Sequence, residues 1–271
     1  MKVIIKEKNY NITKLYYNKS NTTDSILELD LGKFKYLQYI ECKKSYLSKI
    51  TNLCKYVTYL DCRNNCINEL DNLPNFMNTL YCSSNKLKCL DNLPEKLIKL
   101  VCAYNKITCL NNLPNELKYL DCSYCYIINL ENLPIGLKEL ICSCDKITNL
   151  DFLPESIIRL TIYGYNNNNF SLDLENLPKS IDFINLSYSI ISNLYVNKTI
   201  WHITNDYYDI KLEKNKNLNI NPKPITFCPY PSEFGSNEIC NRCKNIIINC
   251  KCYQCDCYKC DYYQYDGCYY D

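Results

Sequence analysis

The chain has 271 residues and a net charge of +2, with 22% charged side chains. That length allows one large or two small domains, and no global field selects nucleic acid or a membrane as partner. A hydrophobic fraction of 47% can build a core, and a single His202 stands against 21 Cys and 27 Tyr. These figures exclude a collagen, a disordered tail protein and a small disulfide knot, and disfavour enzyme classes that need several histidines.

Residues 1–36 read as an N-terminal cap, with strand-like Lys2–Lys6 and Ile26–Leu31. The apolar run Val3–Ile5 is short for a signal peptide and is followed by charge. No stretch approaches about eighteen apolar residues, the length that crosses a bilayer. The expectation is a cytoplasmic chain without a membrane partner, in a compartment that keeps thiols reduced.

Residues 37–195 carry a repeat. Asn-Leu-Pro stands at Asn72–Pro74, Asn92–Pro94, Asn112–Pro114 and Asn132–Pro134. Phe152-Leu153-Pro154 continues the series, and Asn176–Pro178 resumes it after an insertion near 164–170. The first five prolines are twenty residues apart, and other ladders share that register. One runs from Leu60 through Leu80, Leu100, Leu120 and Leu140 to Leu160; a second from Cys42 through Cys62, Cys82, Cys102 and Cys122 to Cys142. A third, Leu47, Ile67, Leu87, Ile107, Ile127 and Ile147, stands beside a fourth, Ile50 to Leu150. Leu-x-Cys alternates as a short strand does, and a constant period makes successive strands stack in parallel.

Within one unit, Leu80-x-Cys82-x-x-Asn85-x-Leu87-x-x-Leu90 has the leucine-rich repeat form. The chain resembles leucine-rich repeat proteins, and in particular the short twenty-residue class of bacterial effectors, in which a Leu-Pro segment precedes each unit. The resemblance implies a solenoid with a curved parallel β-sheet on its concave face, extended or polyproline convex segments and few helices. It implies a buried Asn that bonds backbone between turns. That residue holds at Asn65, Asn85 and Asn105 but becomes Ser45, Cys125 and Asp145, where less regular turns are expected. Some effectors of that class carry a C-terminal ubiquitin ligase domain. The residues after 220 are too few for one, so the activity is not carried over.

The ladder cysteines read as packed thiols. Parallel neighbours hold Cβ atoms about 4.8 Å apart, whereas a disulfide wants about 3.8 Å with converging vectors. A file of metal ions along the ladder finds no room in a packed core. Gly164–Phe170, with its run of Asn, reads as a bulging loop or, alternatively, a binding loop.

Residues 196–221, with Trp201, read as a C-terminal cap, and His202 there as a packed or surface residue. Residues 222–271 form a linker and a Cys/Tyr-rich tail. C-x2-C hooks grip a tetrahedral zinc ion, so Cys240, Cys243, Cys252 and Cys255 form a candidate site, with Cys250, Cys257, Cys260 and Cys268 less firmly placed. The tail also resembles metallothionein in its thiol spacing, though not in its tyrosines. After the metal-bound reading comes a reduced, disordered low-complexity segment and, last, a disulfide-bonded one.

Residues flanking the inward Leu and Cys point to the concave face: Tyr39, Glu41, Lys43, Tyr59, Asp61, Arg63, Tyr81, Lys99, Tyr119, Asp121, Glu139, Arg159 and Tyr163. Tyr and Arg among mixed charges suit a protein partner. Basic residues balanced by acids, without a stripe, disfavour nucleic acid. No nucleotide or metalloprotease motif is present. The sequence therefore predicts a non-enzymatic protein-binding scaffold. A zinc-binding or redox-responsive protein acting through the tail, or a ubiquitin-ligase adaptor, are the alternatives.

Overall fold

The computed structural model describes residues 2–3, 10–18, 27–143, 147, 150–163, 170–174, 177–185, 191–196, 202–205 and 208–211. These residues form strands and turns, with no helix among them. Sixteen strands follow in chain order. They are β1 Lys2–Val3, β2 Lys14–Tyr16, β3 Leu27–Asp30, β4 Tyr39–Glu41, β5 Leu47–Thr51, β6 Tyr59–Asp61, β7 Thr79–Tyr81 and β8 Lys99–Val101. Then come β9 Tyr119–Asp121, β10 Glu139–Ser143, β11 Arg159–Tyr163, β12 Phe170–Leu174, β13 Phe183–Asn185, β14 Ile191–Val196, β15 His202–Asn205 and β16 Tyr208–Lys211.

The long sheet has 11 strands in the order β16-β15-β13-β11-β10-β9-β8-β7-β6-β4-β2. Its pairs are parallel except β15 with β16, which is antiparallel. The sequence period becomes the register: Leu60 pairs Leu80, Leu80 pairs Leu100, and Leu100 pairs Leu120. Between β11 and β13 the partner of Leu160 is Ile184, so the turn containing the insertion is longer. At the start Leu15 pairs Ile40, a spacing no repeat in the sequence announces, and β2 thus extends the long sheet into residues 1–36. A second parallel sheet, β1-β3-β5, backs these first turns, and β12 with β14 forms a third.

The strands are short because the Leu-x-Cys segment needs few residues to turn two side chains inward. The ladder outlasts them: Cys62 N–H donates to Tyr81 O and Cys82 N–H to Val101 O, each at 2.8 Å. The Leu, Ile and Cys columns fill one continuous core. Cys42, Cys62, Cys82, Cys102, Cys122 and Cys142 are buried, and all six remain thiols. Burial pushes the first five up, Cys62 to about 12, because a thiolate would sit in an apolar core. They act as small hydrophobes.

The Asn-Leu-Pro signal is a turn. Asn72, Asn92, Asn112 and Asn132 have φ of 54, 57, 61 and 62°. Among residues with a Cβ, Asn reaches this left-handed region at least cost. The following Leu turns toward the core, and the Pro carbonyl accepts from the N–H three residues on: Pro74 from Met77, Pro94 from Leu97, Pro114 from Leu117 and Pro134 from Leu137. Leu-Pro thus returns the chain to the next strand without a helix.

The buried amide ladder behaves as the family resemblance implies. Asn85 Oδ1 accepts from Ile67 N–H at 2.9 Å, and its Nδ2 donates to Cys62 O and Cys82 O at 3.0 Å and to Ser83 O at 3.3 Å. Asn65 and Asn105 repeat the pattern one turn either side. The Cys82 carbonyl is therefore shared by two amides from consecutive turns. Where Cys125 replaces the amide, its thiol gives Cys102 O one longer bond of 3.4 Å.

Candidate binding surface

In each unit the residues beside the inward Leu and Cys face away from the core. On the long sheet Tyr39, Glu41, Lys43, Tyr59, Arg63, Tyr81, Lys99, Tyr119, Asp121, Glu139 and Tyr163 are half-buried, and Arg159 is exposed. Asp61 differs: at 0% relative exposure it is buried, although simple alternation points it outward.

Asp61 organises the first part of this face. Its carboxylate accepts from Arg63 Nε at 2.9 Å and Nη2 at 2.7 Å, and Oδ1 also takes the Arg63 backbone N–H. Lys43 lies 3.2 Å from Glu41 and 3.6 Å from Asp61. The Tyr39 hydroxyl donates to Glu41. The two acids and two bases thus satisfy one another, and a buried carboxylate held by a bidentate guanidinium is a charge that cannot be left alone.

Rings run across these turns. Tyr16 meets Tyr39 at 5.7 Å, Tyr39 stacks on Tyr59 at 4.2 Å, and Tyr59 meets Tyr81 at 5.6 Å. Arg63 sits 4.9 Å from the Tyr81 ring. Lys99 then bridges Tyr81 at 5.4 Å and Tyr119 at 4.3 Å. Arg159 lies 5.7 Å from the Phe183 ring. Such cation–ring contacts hold long basic side chains in fixed places.

Further rings lie at this end of the strands, at Tyr104 and Tyr124 one step beyond the small column and at Tyr163 in register with Ser143. Tyr104 stacks on Tyr124 at 4.3 Å, and Tyr124 meets Tyr163 at 5.5 Å. Between the rows the positions are small and buried: Ser83, Ala103, Ser123 and Ser143. The middle turns therefore present a shallow strip of small residues flanked by aromatic rows. Sequence reading missed Tyr16, Tyr104 and Tyr124. Tyr104 and Tyr124 stand in one twenty-residue column after the Cys ladder, a signal that could have found them.

Titration follows the burial. Asp121 is raised by burial, against hydrogen bonds from Ser123 and the nearby charge of Lys99. Tyr119 is pushed up to about 12 by burial first, then by Asp121 and Glu139. At neutral pH the Tyr119 hydroxyl keeps its proton.

Several sequence readings fall elsewhere. Cys240, Cys243, Cys252, Cys255, Cys250, Cys257, Cys260 and Cys268 lie outside the described residues, as do Trp201 and residues 164–169 of the insertion. Phe170, the last residue of the insertion, begins β12. Among the described residues no group of three or more His, Cys, Asp or Glu is arranged to hold a metal, and no helix is long and apolar enough to cross a membrane.

No protein-family model matches the chain, and no curated protein is significantly similar to it. Solved structures are similar. YopM, a leucine-rich effector protein from Yersinia pestis, is 24% identical over 72% of this chain and 58% of its own, with a TM-score of 0.55. YopM from Yersinia enterocolitica is 22% identical over 69% of this chain and 53% of its own, with a TM-score of 0.44. The functional domain of InlJ from Listeria monocytogenes, described as including a cysteine ladder, is 20% identical over 72% of this chain and 54% of its own, with a TM-score of 0.48. The chain thus spans little more than half the length of each of these structures.

Proposed function

On a fold that is a leucine-rich repeat solenoid, we propose that this chain is a non-enzymatic scaffold that binds another protein on the concave face of its long sheet. The observation that carries the reading is the aromatic row Tyr16, Tyr39, Tyr59 and Tyr81, continued by Lys99 and Tyr119. Tyr supplies large contact area at small entropic cost, and aromatic and Arg residues dominate the energy of protein interfaces. The ring-to-ring packing also fixes these side chains before any partner arrives, which lowers the cost of ordering them on binding. A broad, shallow, repetitive surface suits a protein surface better than a small molecule.

The test is affinity capture from cell lysate under reducing conditions, with the intact chain beside a Tyr59→Ala/Lys99→Glu/Tyr119→Ala variant. Asp61 stays unchanged, because replacing that buried carboxylate would disturb folding. A partner captured by the intact chain and lost by the folded variant is the expected result. An unchanged set of captured proteins refutes the concave-face reading.

A further inference from the structure

The near-balance of charge in the whole chain hides a segregation within each turn. After the strand the backbone turns a left-handed corner, at Lys44, Asn64, Ser84, Tyr104 and Tyr124, with φ between 53 and 57°. Around that corner run residues 43–48, 63–68, 83–88, 103–108 and 123–128. Together they hold five Lys and one Arg, and no Asp or Glu. The acids of these turns stand on the strands, as Glu41, Asp61 and Asp121 do, or further round the turn, as Glu69, Asp91 and Glu116 do.

Backbone bonds hold this edge in place. Ser84 N–H donates to Ala103 O at 2.8 Å, and Tyr104 N–H to Ser123 O at 2.9 Å. Two residues on, Lys106 N–H donates to Leu87 O and Tyr126 N–H to Ile107 O, both at 2.8 Å, so Lys86, Lys106 and Tyr126 follow one another in consecutive turns. The buried Asn85 and Asn105 amides pin the corner from inside. Lys44, Lys86, Lys88 and Lys106 are exposed, and among the described residues none of them has an acidic partner. Lys43 and Arg63, by contrast, are taken up by Glu41 and Asp61. Tyr104 and Tyr126 are 55% and 51% exposed, and Tyr104 is held parallel to Tyr124 at 4.3 Å.

We propose that this edge binds single-stranded nucleic acid. Its lysines offer point charges to successive phosphates, and its fixed rings offer faces to unpaired bases. A duplex keeps its base faces inside its own stack and could use the charges alone. A carboxylate-rich peptide is held best by the fork of an Arg, and the one Arg of these segments already grips Asp61. The same chemistry serves DNA and RNA.

The probes are fluorescein-labelled oligo-dT and oligo-U of equal length, read by anisotropy with the full chain under reducing conditions. With four lysines on phosphates, the logarithm of the association constant should fall against that of salt with a slope of about −2.8. Lys86→Ala/Lys106→Ala should reduce the slope to about −1.4 and weaken binding roughly tenfold or more at low salt. Tyr104→Ser/Tyr126→Ala should weaken it roughly tenfold at an unchanged slope; Ser84 already holds that left-handed corner one turn earlier. Lys118→Ala/Lys138→Ala removes equal charge from the opposite end of the strands and should change neither quantity. The substituted side chains are exposed, so circular dichroism should show every variant folded. A preference for oligo-dT or oligo-U supports the proposal and names the sugar. Binding of neither overturns it, as do equal losses in the two lysine pairs. So does a duplex of the same length, or polyglutamate, that binds as tightly as the single strands.

Discussion

The shared carbonyls of the amide ladder make neighbouring asparagines unequal, and the inequality can be measured. Replacing Asn85 by Ala deletes its four hydrogen bonds. Cys62 O then keeps Asn65, Cys82 O keeps Asn105, and Ser83 O keeps Asn64 N–H. The group left without a replacement is the Ile67 N–H, at about 1–3 kcal/mol for a buried orphan donor. With the weakened sharing added, the cost is about 3 kcal/mol. Asn105→Ala deletes the equivalent bonds and orphans Leu87 N–H, but Cys102 O falls back only on the Cys125 thiol at 3.4 Å. A thiol is a weak donor, so Asn105→Ala should cost roughly 1 kcal/mol more than Asn85→Ala. Urea unfolding of both variants supplies the comparison, through the shift of each midpoint at a common slope. Hydrogen exchange at Leu87 and Ile67 adds the local readout. Equal losses, or a larger loss for Asn85→Ala, would refute the claim that sharing between turns sets the cost.

Other outcomes follow from the same geometry. Asn92 has φ of 57°, so Asn92→Val should lower stability by about 1–2 kcal/mol while Asn92→Gly is nearly neutral; thermal melts separate the two. Arg63→Ala leaves the buried Asp61 carboxylate without its guanidinium fork and should cost about 3–5 kcal/mol in urea unfolding, whereas Lys43→Ala should leave the midpoint nearly unchanged. Asp121 has a raised folded pKa, so the native state binds the extra proton and stability falls as pH rises from the unfolded value through the folded one. Asp121→Asn should lack that part of the slope in melts carried upward from about pH 4, the unfolded carboxyl's value. Cys62, pushed to about 12, is about one part in 10⁴ thiolate at pH 8, so iodoacetamide at that pH should modify Cys89 and Cys109 in the native protein and reach Cys62 only after unfolding.

The period in the sequence carried most of the fold because each ladder residue has one job in every turn. Leu60, Leu80, Leu100 and Leu120 are paired in register, and Cys42 to Cys142 lie inside, as alternation requires. Strand β2 was not legible, since its offset to β4 is 25 residues and matches no ladder. The burial of Asp61 was not legible either. Alternation turns it outward, but the Arg63 fork and Lys43 lie against it. Of the candidate surface, the row of Tyr39, Tyr59, Tyr81 and Tyr119 followed from pattern. The row of Tyr104 and Tyr124 did not, because it stands on left-handed residues, φ 54 and 53°, where the strand alternation has already ended.

The reversed direction of β16 has a consequence for assembly. A stack of parallel strands is an open template, and an identical molecule could in principle continue it from either end. At one end the sheet offers β2 in the slanted hydrogen-bond pattern of a parallel ladder, while at the other β16 runs against all its neighbours. Among the described strands the two edges differ in polarity, so a copy stacked in the same sense would meet β16 through an antiparallel β2 and not through a further parallel turn. The parallel ladder of the described strands therefore ends at β15.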